Sequence, residues 1–298
     1  MQNYRQIIDQ KIATKRNKVL QARSLYDTLN EEYESFYTNE CLLRRAIFDN
    51  DASAISKYMD NRRNILEHLN VDINILEPQV DCQLCNDEGY LDQSICTCVK
   101  SSLAKQFWQQ HQYLATATFD NINDDFYGDI TQPNNIVNRL QAFCERFPST
   151  KYFSLVLSGN TGTGKTYLAG CIANQLLNAM HNVVFVSAMQ FVRHMTKYHT
   201  TFDDTKETYF APYIDCDLLI IDDLGTESIF NNITLEYLYL VIGTRLSSRK
   251  HILLTSNLDI NALQSRYGMR IASRLYDKQL CYAHTLNGAD KRIIGTTK

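Results

Sequence analysis

Gly159-Asn160-Thr161-Gly162-Thr163-Gly164-Lys165-Thr166 gathers three glycines, a lysine and a threonine hydroxyl into eight residues. Such a loop cradles phosphate. Glycines let backbone amides wrap an anion, the lysine reaches the β and γ phosphates, and the threonine hydroxyl ligates Mg²⁺. Before it, Ser154-Leu155-Val156-Leu157 reads as a buried strand, and after it Leu168, Cys171, Ile172 and Leu176 recur at helical spacing. Strand, loop and helix in that order predict an ATP site. Leu218-Leu219-Ile220-Ile221-Asp222-Asp223 reads as a second strand, ending in two carboxylates. Asp222 is expected to hold Mg²⁺ through water, and Asp223 to orient and deprotonate an attacking water. The plain alternative is an acidic strand cap.

Two weaker signals point to hydrolysis. The strand His251-Ile252-Leu253-Leu254 runs into Thr255-Ser256-Asn257, which would put the Asn257 amide near the γ phosphate; an isolated Ser-Asn would be a turn. Arg266, Arg270 and Arg274 recur every four residues, so in one helix they would share a face and offer an arginine to a neighbouring copy's nucleotide.

A separate chemistry is suggested by Cys82, Cys85, Cys96 and Cys98, which fall within seventeen residues around the turn Asn86-Asp87-Glu88-Gly89. Two thiol pairs at such spacing suit one tetrahedral Zn²⁺, and a closed set of four leaves no position for a reacting water, so the site would be structural. A redox CxxC normally opens a helix in a βαβ unit, a context missing here; an iron–sulfur cluster is the residual alternative.

The elements that must position these groups are legible in outline. From Tyr152 onward, short apolar runs (153–157, 183–186, 218–221 and 251–254) alternate with helical patterns, which implies a parallel sheet covered on both faces. Near the start, Ile8, Ile12, Lys15, Val19, Ala22, Tyr26, Leu29, Tyr33 and Phe36 follow heptad spacing, apolar but for Lys15. A second set, Ile55, Tyr58, Arg62, Ile65 and Leu69, follows a break at Asp49-Asn50-Asp51, with Arg62 interrupting it. The simplest object is a helical hairpin. The expected division is a hairpin over 1–76, a zinc knuckle and linker over 77–123, and an ATPase domain over 124–298. The fold class is therefore α/β, a P-loop core with a parallel sheet preceded by a helical hairpin and a small zinc knuckle.

With 44% hydrophobic and 21% charged residues, the 298-residue chain has the composition of a globular protein, neither disordered nor fibrous. No apolar run is long enough for a membrane span or signal peptide, which predicts a cytoplasmic protein without a membrane partner. The net charge is −3, yet residues 243–298 hold ten basic and three acidic groups, a bias that suits a polyanion or a nucleotide.

Together these residues resemble the DnaC/DnaI-type loaders of the replicative helicase, AAA+ ATPases related to IstB-type ATP-binding proteins. The resemblance runs from about residue 80 to the end. It is carried by Cys82-Gln-Leu-Cys85-Asn-Asp-Glu-Gly89-Tyr90 with Cys96-Thr-Cys98, Phe119-Asp120-Asn121, the glycine loop, Leu218 to Gly225, Thr255-Ser256-Asn257 and Arg270 to Asp277. It implies an AAA+ core in which Asn257 is the sensor-1 residue, Arg274 (or Arg270) the arginine finger, Arg292 the sensor-2 arginine, and Phe119 part of the segment against the adenine. It also implies a ring helicase gripped by the N-terminal region, contact with single-stranded DNA from the segment Phe191 to Tyr213, self-association through the ATPase domain, and ATP, Mg²⁺ and Zn²⁺ as cofactors. An IstB-type transposition ATPase and a nucleotide-gated protein adaptor are the rival readings.

Overall fold

The heptad stretch is helical but breaks twice. Helix α1 (Tyr4–Glu32) stops at Tyr33, whose backbone is extended, and α2 (Glu34–Phe48) follows directly. The second break is the expected one: Asn50 takes a left-handed backbone, and the Asp51 carboxylate accepts the amides of Ser53 and Ala54 to start α3 (Ala52–His68). A short α4 (Ile73–Leu76) completes the set. The two heptad sets, expected to be the two arms of a hairpin, run over three helices: the first spans α1 and the start of α2, and the second follows α3. The break at Tyr33 lets Leu29 and Phe36 share one small core with Leu66 and Leu76, and lets Tyr26 of α1 donate to Glu40 of α2 at 2.8 Å.

The computed structural model describes residues 4–92, 94–122, 127, 128, 131, 132, 134–288 and 290. These fall into two units, Arg5–Val99 and the chain from Lys100 on. The cysteine segment goes with the helices because α1 is bonded to it. Lys18 pairs with Asp81 at 2.9 Å, and Lys15 donates to the Asn86 carbonyl at 2.7 Å. Lys11 lies 3.8 Å from Asp87. Two-residue strands β1 (Tyr90–Leu91) and β2 (Ser94–Ile95) pair antiparallel, and α5 (Thr97–Gln110) begins beside them; the division between units falls inside α5.

In the second unit the order is α6 (Ile136–Arg146), β3 (Ser154–Gly159), α7 (Lys165–Asn178), β4 (Val183–Ser187), α8 (Ala188–Thr200), α9 (Ala211–Asp215), β5 (Leu218–Leu224), α10 (Thr234–Ser247), β6 (His251–Ser256), α11 (Ile260–Tyr267), α12 (Met269–Leu275) and β7 (Cys281–Leu286). The five strands from β3 on form one parallel sheet in the order β4-β5-β6-β3-β7. This is the expected α/β core with a parallel sheet. Alternate strand residues face opposite cores: Leu155, Leu157, Phe185, Leu218, Ile220 and Leu253 on one side, and Val156, Val184, Val186, Leu219, Ile221, Ile252 and Leu254 on the other. Edge strand β7 is half exposed and carries His284 and Thr285, so it lacks the apolar run that betrays the other four. Among the described residues no helix is long and apolar enough to cross a membrane.

Candidate functional site

The loop after β3 turns on glycines. Gly159 has φ 136°, and a Cβ there would lie 2.1 Å from the Leu286 carbonyl oxygen of β7, so no other residue fits. Gly164, at φ 92°, turns the chain into α7, which begins at Lys165. Lys165 is buried, and its ammonium donates to the carbonyls of Gly159 (2.8 Å) and Asn160 (2.7 Å) and to Asn257 Oδ1 (2.8 Å).

The carboxylate pair sits on a β-bulge. Ile221 pairs with Leu254 and Leu224 with Ser256, so Asp222 and Asp223 together oppose Thr255 alone. Asp223 takes φ 59°, a left-handed backbone that aspartate tolerates better than most residues and that turns the two carboxylates apart. Thr255 ties the bulge together: its hydroxyl donates to Asp222 Oδ1 at 2.6 Å and accepts the Asp223 amide at 2.8 Å. Thr166 Oγ1 donates to Asp222 at 3.0 Å, and Asn257 Nδ2 to Asp223 Oδ1 at 3.0 Å. Lys165, Thr166, Asp222, Asp223 and Asn257 thus form one connected network. Burial pushes the Asp222 carboxyl upward and the Asp223 charge adds to this, while Thr255, Thr166 and Lys165 pull it down. The donor set fits Mg²⁺: a hydroxyl and a carboxylate, both hard oxygen ligands, beside a phosphate loop.

Three residues of this site went unread in the sequence. Tyr167, Gly170 and Asn174 share one face of α7 and hold the chain 114–121 against it. Asn174 Nδ2 donates to the carbonyls of Leu114 (3.0 Å) and Ala117 (2.5 Å), and the Tyr167 hydroxyl lies 3.3–3.5 Å from those of Thr116, Thr118 and Asn121. A Cβ on Gly170 would meet Ala117 at 2.9 Å, so only glycine lets the segment approach. Phe119 lies within this strip, half buried against the core. The spacing 167, 170, 174 is helical and was available; what it faced was not.

The arginines do not share one helix. Gly268 (φ 84°) separates α11 from α12, so Arg266 turns to Glu227 while Arg270 and Arg274 lie on α12. Arg270 is exposed. Arg274 Nη2 donates to the Tyr239 hydroxyl of α10 at 2.9 Å. Arg292 lies outside the described residues.

In the first unit the four cysteine sulfurs lie within 4.8 Å of one another. Sulfurs about 2.3 Å from a tetrahedral zinc stand about 3.8 Å apart. Cys82 and Cys96 are 3.8 Å apart, and Cys85 and Cys98 3.7 Å. The thiols therefore fit the ion. Asn86, Asp87 and Gly89 all take positive φ, and the Asp87 carboxylate accepts the amides of Asp81 and Cys82, which shapes the knuckle. The Cys85 amide, bonded to the Cys82 sulfur, does most to bring that thiol down to about 7.

A sequence model of IstB-like ATP-binding proteins matches residues 102–292, well over half of the chain. The chain belongs to this family. Similar proteins include the replicative helicase loader DnaI of Bacillus subtilis, 26% identical over 213 residues, which are 70% of this chain and 65% of that protein. The loader DnaC of Buchnera aphidicola (subsp. Acyrthosiphon pisum) is 27% identical over 161 residues, 53% of this chain and 62% of that one. The chain spans roughly half to two thirds of the length of the curated relatives it matches. A crystal structure of the DnaC helicase loader superposes with a TM-score of 0.49 at 19% identity, over 59% of this chain and 99% of that one. AMPPCP-bound DnaA from Aquifex aeolicus gives 0.49 at 21% identity, over 59% and 51%.

Proposed function

We propose that this IstB-like family member is an ATPase that delivers a ring-shaped replicative helicase onto single-stranded DNA. The observation that carries the hydrolytic part is the bulge at Asp222-Asp223, where Thr255 and Asn257 hold two carboxylates beside Lys165 and Thr166. In this reading Gly159 to Thr166 enclose the phosphates, and Thr166 and Asp222 hold Mg²⁺, which supplies charge neutralisation when bound. Asp223 accepts the proton of the water that attacks the γ phosphorus as the bond to the β-phosphate oxygen breaks, and Asn257 keeps that carboxylate oriented. Phe119 and its strip flank the base. Arg274 acts on a neighbour's nucleotide, so the active site is completed by self-association, and Arg292 serves as a further phosphate contact. Cys82, Cys85, Cys96 and Cys98 hold a structural zinc.

The loader part is supported by the names of the relatives and by an aromatic, basic surface. Tyr198 stacks on Phe210 with ring centroids 4.8 Å apart, Lys206 lies 4.8 Å from the Tyr198 ring, and Phe202 is 90% exposed. An exposed ring beside half-buried ones and an ammonium group suits a stacked base and a tracked phosphate backbone.

The test is the ATPase rate with and without single-stranded DNA, and with a replicative helicase, across ionic strengths. A rate that responds to strand and helicase, less so as salt rises, supports the loader. A rate that responds instead to duplex DNA and a transposase favours the IstB-type role, and indifference to all of them favours a nucleotide-gated adaptor.

A further inference from the structure

The guanidinium of Arg274 is seated on its own chain. Its carbon lies 4.5 Å from the centroid of the Tyr239 ring, and Nη2 donates to the Tyr239 hydroxyl at 2.9 Å. The other terminal nitrogen, Nη1, lies 2.5 Å from where a Cβ on Gly243 would be, so it occupies the space that this glycine leaves open. Tyr239 and Gly243 stand one turn apart on α10 and face α12 together. Ring, hydroxyl and glycine thus form a cradle shaped to a guanidinium, and both ends of the fork point into α10. A fork so engaged cannot also close on a phosphate's oxygens in the bidentate manner that arginine favours. Arg270, one turn earlier on α12, is exposed, and among the described residues no comparable seat holds it. Nothing in the spacing of the arginines indicates this difference.

We propose that Tyr239 and Gly243 withhold Arg274 from a neighbouring subunit, so that the finger is released only when nucleotide-bound subunits meet. Tyr239 is then a positioning residue: it touches no phosphate, and sets how readily the arginine leaves. The proposal rests on the reading of Arg274 as a trans-acting finger. Occupancy of the cradle competes with the γ phosphate of the neighbour, and the fraction of subunits with a released arginine lowers the apparent affinity of assembly by that same fraction. Weakening the cradle therefore shifts the concentration at which activity appears, and leaves the rate of the assembled enzyme alone.

The experiment is steady-state ATPase per chain against protein concentration, on the full chain with saturating ATP and Mg²⁺. Tyr239→Leu removes ring and hydroxyl; Tyr239→Phe keeps the stacking and removes the hydrogen bond; Gly243→Ala fills the Nη1 space and is a favourable helix substitution, so it keeps the fold. The expected result is a half-maximal concentration lowered several-fold by Tyr239→Leu and Gly243→Ala, and less by Tyr239→Phe, with the plateau rate of the parent in all three. A raised half-maximal concentration or a reduced plateau in Tyr239→Leu and Gly243→Ala would mean that the cradle presents the arginine, and overturns the proposal; so would no shift in either. Arg274→Ala, run alongside, separates the two layers. If it retains the parent's plateau, the finger assignment itself is wrong; if it loses the plateau while the α10 variants behave as the parent, only the cradle is wrong.

Discussion

The glycine loop 159–166 lies between a strand buried on both faces and a helix, and its shape is carried by backbone conformation that few residue types can adopt. The cysteine knuckle has only two-residue strands, and its turn, beside four clustered sulfurs, is held by the Asp87 carboxylate and by side chains of α1 some seventy residues earlier in the chain. The first is built on a large core, the second on a small cluster centred on Leu29, Phe36, Leu66 and Leu76. A site on a large core keeps its frame when a reactive residue is changed; a site in place of a core takes its surroundings with it.

Removing the zinc that we propose for the four thiols is the strongest way to break that contrast. Structural zinc is worth about 10–16 kcal/mol in small domains, so chelation, or Cys82→Ser, should remove zinc by elemental analysis and collapse hydrogen-exchange protection in Arg5–Val99. Protection of β3 to β6 and ATP affinity should stay unchanged, and protection surviving in α1 without metal would end the contrast. Lys165→Ala tests the opposite side: ATP binding measured by titration should weaken by at least about 100-fold, about 3 kcal/mol, with thermal unfolding of the chain hardly altered. Asp223→Asn should bind ATP but hydrolyse it about 10²–10⁴-fold more slowly, the usual share of a general base.

Within the first unit, Arg62 sharpens the point. It lies 3.3 Å from Glu40 and 2.8 Å from Glu77, with 11% of its side chain exposed. Arg62→Ala strands the buried Glu40 carboxylate and should destabilise this unit by about 3–5 kcal/mol, read as a lower denaturant midpoint for its helices alone. A smaller effect is expected at Asp222. Because burial raises its pKa, protonation on acidification begins at higher pH than for an ordinary aspartate, so apparent Mg²⁺ affinity in the ATPase assay should start to fall earlier in an acid titration. In Asp223→Asn, which removes the neighbouring charge, residual turnover should show that fall at lower pH. Smallest of all, Lys15→Ala removes exposed contacts to Asn86 and Glu88 and should cost less than about 1 kcal/mol.

Lys15 and Arg62 also show where reading the sequence stopped. Both stand at heptad positions that should be apolar, and spacing alone treats them as defects. Each is explained only by a partner distant in sequence: the Asn86 carbonyl for one, Glu40 and Glu77 for the other. The extra break at Tyr33 has the same origin, since no proline or glycine marks it and the shared core decides it. Strand β7 was missed because an edge strand need not be apolar.

What the sequence determined by itself was chemistry and local backbone: glycines where only glycine fits, a lysine and threonine at fixed offsets from them, two acids after a buried strand, and four thiols near enough in the chain to share an ion. These are short-range requirements, and residue type alone satisfies them. The tertiary structure decided which groups meet across the sheet and between helices. It made Thr255 the tie of the carboxylate bulge, set Tyr167, Gly170 and Asn174 against the segment 114–121, and seated Arg274 on Tyr239. Those partners are separated by tens of residues, and no local periodicity encodes a contact whose two halves are brought together only by the packing of the whole core.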